Sequence, residues 1–141
     1  MTATTHIYIH IMLQTLAFFV LFPLGVIIAA FRSVIGQSWL FWHVCFQLLG
    51  SVCVVAAVMV ISMASKKHHN HTYTHRLLGK VVVSLIVIEL IWAFIGRRIV
   101  PWNVWLTIHV VLATLILACG WANIYLGVKM RHTSKNDDSG N

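Results

Sequence analysis

Four of the nine histidines, His10, His43, His75 and His109, fall near the starts of four separate long apolar segments. An ionisable side chain within hydrocarbon is costly and marks a functional position. A neutral imidazole offers one ring nitrogen as a metal ligand while the other carries the proton. Four such rings, one per apolar segment, fit two paired ligand sites. The alternative for any one of them is a hydrogen bond between helices or a place at the membrane interface.

Positioning these rings is the work of the segments that carry them. The 141 residues are 60% hydrophobic and 9% charged, too little charge to cover a soluble domain. The apolar blocks are about 20 residues long, the length that crosses hydrocarbon as an α-helix. The expected fold is all-α, an integral membrane four-helix antiparallel bundle. Its spans are placed at about 8–31, 39–64, 74–95 and 102–128, between a short N-terminus (1–7) and a polar, unstructured tail (129–141). The first block is too long for a signal-peptide core and is expected to be retained. Pro23 and Gly25 lie inside the first span, which membrane helices tolerate. Arg32, Ser33, Gly36, Gln37 and Ser38 form the first link. Arg97, Arg98 and Pro101 form the last.

Short links make neighbouring spans antiparallel. The N-terminus, the loop around Lys66–Asn70 and the tail then share a side with Lys66, Lys67, Arg76, Lys80, Lys129, Arg131 and Lys135. Arg32, Arg97 and Arg98 mark the other side. The positive-inside rule puts both termini in the cytosol. Trp39, Trp42, Trp102 and Trp105 are expected to form an aromatic belt at the far interface. The net charge of +7 lies between and after the apolar blocks, which suits anionic headgroups and not a nucleic-acid partner. Cys45, Cys53 and Cys119 lack metal or redox spacing and read as buried free thiols.

The same topology sorts the histidines by level. His10 and His75 start spans that run in one direction and lie toward the cytosol. His43 and His109 start spans that run the other way and lie toward the opposite face. Each level-matched pair can fill both axial positions of a haem iron, leaving none open to oxygen, so the chemistry is electron transfer. The two irons are expected ~20–25 Å apart. Small residues on the ligand faces leave room for a flat macrocycle: Ala113, Gly120 and Gly127 after His109, Gly50 after His43 (on a face shared with Gln47), and Gly79 after His75.

Residues 10–127 resemble the four-helix core of the cytochrome b561 family. His10-Ile-Met-Leu with Pro23-Leu-Gly25 resembles its first core helix, and Trp39, His43, Gln47 and Gly50 its second. His71-Thr-Tyr-Thr-His75-Arg-Leu-Leu-Gly79 is similar to its third-helix signature, the most specific stretch. Trp102, His109, Gly120, Asn123 and Gly127 resemble its fourth. The resemblance implies two haem b groups per chain, one on the first and third histidines and one on the second and fourth. It implies ascorbate as a cytosolic donor, and ferric iron or monodehydroascorbate as acceptor. The chain departs from the family at Ile11 and Ala113, where glycine is frequent, and at Glu89, where glutamine is frequent.

His6 and His71, one turn before His10 and His75, are alternative ligands. Glu89, the one acidic residue within a span, lies ~21 Å beyond His75 along its helix, at the level of His43 and His109. It fits either a hydrogen-bond partner to a ligating imidazole, taking up a proton on reduction, or a plain interhelical bond. Arg76, Lys80, Arg97 and Arg98 are candidates for haem propionates or for headgroup anchoring. No Gly-rich nucleotide-binding turn is present. The leading expectation is transmembrane electron transfer, as an oxidoreductase of the ascorbate-dependent ferric reductase type. The others are an anchor subunit of a larger membrane complex, with or without haem, and a haem-free metal-handling protein using His68, His69 and His71. Membrane lipid and small-molecule donors and acceptors are the expected partners. A homodimer or larger assembly is left open.

Overall fold

The computed structural model describes residues 3–64 and 73–139, with side chains for 4–63 and 73–130. Every described element is helical, and four helices are long and apolar enough to cross a membrane: Thr4–Ala30, Arg32–Met63, Tyr73–Ile99 and Trp102–Met130. The protein is an all-α, multi-pass membrane protein. It divides into two compact units, Met1–Lys67 and His68–Asn141, each a pair of helices.

In the first unit, α1 covers 3–30 and α2 is Trp39–Ala64. A π-turn, Leu16–Leu21, interrupts α1, and the Phe22 N–H reaches back to the Ala17 carbonyl. Pro23 explains its position. The proline ring has no N–H to give and crowds the carbonyl four residues back, so the helical ladder shifts just before it. The link is more structured than a plain loop. Phe31 leaves the helix, Arg32–Ile35 makes one further turn, and Gly36 reverses the chain at φ 75, which favours glycine. Phe18, Phe22, Val54 and Ala57 are buried. Phe18 and Phe22 meet edge to face at 5.2 Å. A Cβ on Gly50 would lie 2.6 Å from the Phe22 ring, so the absent side chain lets the ring lie against α2.

In the second unit, α3 is Tyr73–Ile99 and α4 is Trp102–Ser139. Val100 is extended ahead of Pro101, as the residue before a proline tends to be, and this ends α3. The third span runs four residues past its expected end at Ile95, through a second π-turn at Trp92–Gly96. The fourth helix continues to Ser139, where an unstructured tail was expected from residue 129. Lys129, Met130, Arg131 and Lys135 are good helix formers, and no Gly or Pro intervenes before Gly140, so polarity alone does not stop it.

Long apolar side chains such as Met12, Phe19, Val52, Met59 and Val110 are exposed, as lipid contact requires. Hydroxyls are hidden in the helices' own ladders: Ser51, Ser62, Thr107 and Thr114 each donate to the carbonyl four residues earlier. The three cysteines are free thiols.

Candidate metal centres

In the first hairpin, His10 on α1 donates from Nδ1 to the Ala57 carbonyl of α2 at 2.9 Å. His43 on α2 donates from Nδ1 to the Gly25 carbonyl of α1 at 2.8 Å. The two bonds run between helices in opposite senses and fix their antiparallel register. They lie about 14 residues apart along the helices, ~21 Å. Trp39, one turn before His43, has its ring 6.4 Å away. The Gln47 amide donates to the Phe22 carbonyl at 3.3 Å.

The second hairpin repeats the plan. His75 on α3 donates from Nδ1 to the Asn123 carbonyl of α4 at 3.0 Å. At the other end, His109 Nδ1 meets Glu89 Oε1. Trp105, one turn before His109, stacks on its ring at 5.1 Å and 8°. The indoles of Trp92 and Trp105 donate to each other's backbone carbonyls, both at 3.2 Å. The Trp92 ring covers Gly96 in the π-turn, where a Cβ would lie 2.8 Å from it. Arg97 lies over the Trp102 ring at 5.2 Å.

A carbonyl can only accept, so the bonded Nδ1 of His10, His43 and His75 carries the proton. In a neutral ring the lone pair is then on Nε2. This is how metal-ligating histidines are held: the distal nitrogen donates to a carbonyl or carboxylate, and that fixes the tautomer and the ring plane. Three of the four rings are held in that way, and His109 instead meets a carboxyl group. Room for one of them is built in: a Cβ on Gly127 would lie 3.1 Å from the His75 ring. Asn123 is buried, and its Oδ1 has no hydrogen-bond partner among the described residues.

The glycines of the small-residue stripes lie against the neighbouring helix. Gly50 faces Phe22, Gly79 faces the Asn123 amide, and Gly127 faces the His75 ring. The missing side chains of Gly50 and Gly127 allow close packing within each hairpin, whereas a Cβ on Gly79 would make only ordinary contact with Asn123. Arg76 and Lys80 lie on the exposed side of α3, and His6 lies within α1. His68, His69 and His71 lie outside the described residues. Among the described residues no three His, Cys, Asp or Glu side chains converge on one point.

The carbonyls of Gly25, Ala57 and Asn123 were not among the expected partners, nor was the stacking of Trp105 on His109, which was expected in an aromatic belt at the interface. Trp105 did carry a signal. Both Trp39 and Trp105 precede a histidine by four residues, which puts each indole on the imidazole's face of the helix.

Residues 2–98 match the family described as a domain of unknown function (DUF2427). The chain belongs to this family. The DUF2427 match takes in His10, His43, His75 and Glu89 and ends before α4. No curated protein and no solved structure matches the chain.

Proposed function

We propose that this protein carries electrons across a membrane through two haem b groups, one held by His10 and His75 and the other by His43 and His109. The observation that carries the reading is the common anchoring of all four rings. Three are held through Nδ1 by a carbonyl of the neighbouring helix and one meets a carboxyl group, contacts of the kind that metal-ligating histidines make through the nitrogen away from the metal. Haem b supplies a one-electron iron couple, and two axial imidazoles suit it to electron transfer.

The residues divide the remaining work. The Ala57, Gly25 and Asn123 carbonyls and Glu89 hold the rings against rotation. Gly127 admits the His75 ring between α3 and α4. Trp105 holds the plane of the His109 ring. Arg76 and Lys80 stand one and five residues after His75 and are the cations we assign to carboxylate groups of the cofactor. The distribution of basic residues supports a cytosolic side for both termini. The resemblance to cytochrome b561 supports ascorbate as the donor and ferric iron or monodehydroascorbate as the acceptor.

The test is an absorption spectrum of the purified chain, expressed with haem supplied, before and after dithionite. A reducible b-type band with two haems per chain is expected; its absence overturns the reading. A second reading has a haem-free anchor subunit of a larger complex, in which the same bonds join helices and do nothing else. It is favoured by the fact that three of the four Nδ1 atoms are hydrogen-bonded within their own hairpin and the fourth meets Glu89 in its own. It predicts no haem band and a stoichiometric partner after mild solubilisation.

A further inference from the structure

The four anchored rings are not equivalent. His10, His43 and His75 each donate Nδ1–H to a neutral amide carbonyl, whereas His109 faces the Glu89 carboxyl. The Glu89 side chain is 13% exposed, and both of its oxygens are buried. In its ionised form Glu89 is a stronger acceptor than a carbonyl, and a hydrogen bond to it from Nδ1 is about twice as strong as one between neutral groups. It draws the Nδ1 proton outward and leaves more electron density on Nε2, which makes the ring a better donor to a metal. The His109 ring is also held by its neighbours. Trp105 stacks on it, and the reciprocal Trp92–Trp105 bonds join α3 to α4 within one turn of both Glu89 and His109.

We propose that Glu89 is a positioning residue that makes His109 the strongest of the four donors, so that the haem held by His43 and His109 has the lower reduction potential of the two. A stronger axial donor stabilises the ferric state, and hydrogen bonding to the axial ligand is one of the levers a protein has on haem. The inference rests on the haem reading above.

The experiment is a redox titration of the purified full-length chain, followed by its visible spectrum, with electron paramagnetic resonance of the oxidised protein. Haem per chain is measured first. Wild type should show two midpoint potentials and two low-spin signals, and His43→Ala should remove the lower-potential component. Glu89→Gln should keep two haems per chain, raise the lower potential toward the higher, leave the higher in place, and move one low-spin signal. Glu89→Asp keeps the carboxylate and should fall between wild type and Glu89→Gln. Unchanged potentials and signals in Glu89→Gln, or a shift in the higher potential, would overturn the proposal. If Glu89→Gln does not assemble, wild type and Glu89→Asp carry the test. A single low-spin signal and one shared midpoint for both haems in wild type, or Glu89→Asp potentials equal to those of wild type, then refutes it. Absence of haem from wild type sinks the haem reading and this inference together, and is seen before any variant is made. Two haems with no response to Glu89 sinks this inference alone.

Discussion

The two hairpins solve one problem with different materials. Each holds two imidazoles ~21 Å apart by interhelical bonds running in opposite senses. The first uses two backbone carbonyls and packs its middle with Phe18, Phe22, Val54 and Ala57. The second uses one carbonyl and one carboxylate, with Val82, Ile86 and Ile116 buried, and adds a pair of mutually bonded tryptophans. Apolar packing joins the first pair of helices; polar and aromatic groups do more of that work in the second. The shared part of the plan therefore belongs to the histidines, and the rest belongs to how each helix pair is joined.

The sharpest way to break the comparison is to remove histidines two at a time. Replacing His43 and His109 with alanine should leave one haem per chain. Replacing His10 and His43, both on the first hairpin, should leave none. A pyridine haemochrome assay against protein concentration reads the difference. If the second double variant keeps one haem, the ligand pairs lie within hairpins and the proposed pairing is wrong.

A smaller effect separates the two packing strategies. Gly50→Ala puts a Cβ 2.6 Å from the buried Phe22 ring and should cost about 1–3 kcal/mol, the usual range for overpacking. Gly127→Ala, at 3.1 Å from the His75 ring, should cost less in stability and show its effect in haem content. Thermal unfolding in detergent measures the first, and the haem assay the second. Equal losses of stability would remove the distinction between an apolar and a polar joint.

The smallest change concerns the tryptophans. Trp105→Phe keeps an aromatic ring beside His109 but removes one of the reciprocal indole bonds, a loss of about 1 kcal/mol. Trp39→Phe in the first hairpin should fall within about 0.5 kcal/mol of wild type, as substitutions outside a bonded network usually do. The same unfolding measurement compares them. A larger loss from Trp39→Phe would mean that the two Trp–His pairs are built alike.

Much of this was legible in the sequence because a bilayer leaves few choices. Segment length, short links and the placing of one histidine near each helix start were enough to give four spans and antiparallel neighbours. The level of Glu89 followed from helical rise alone. The acceptors were not legible, because every residue has a backbone carbonyl and nothing in the letters Gly25, Ala57 or Asn123 says which one meets a ring. What lies against the glycines was not legible for a related reason. Periodicity tells that Gly50, Gly79 and Gly127 share a face with a histidine, but not whether a cofactor or a neighbouring helix fills the space. The end of α4 was misplaced because a polar composition was taken for a lack of structure.

The π-turn in α1 has a consequence for insertions and deletions. His43 and Ala57, His75 and Glu89, and His109 and Asn123 are each 14 residues apart, whereas His10 and Gly25 are 15 apart. Leu16–Leu21 lies between those last two, and a π-turn is an α-turn holding one residue more. The first helix thus carries a supernumerary residue and coils it out of phase locally, so that both ends of the segment still face their partners. Deleting one residue from 16–21 should be absorbed as plain α-helix, while deleting one between His43 and Ala57, where no such slack exists, should turn one of the two rings away from its partner.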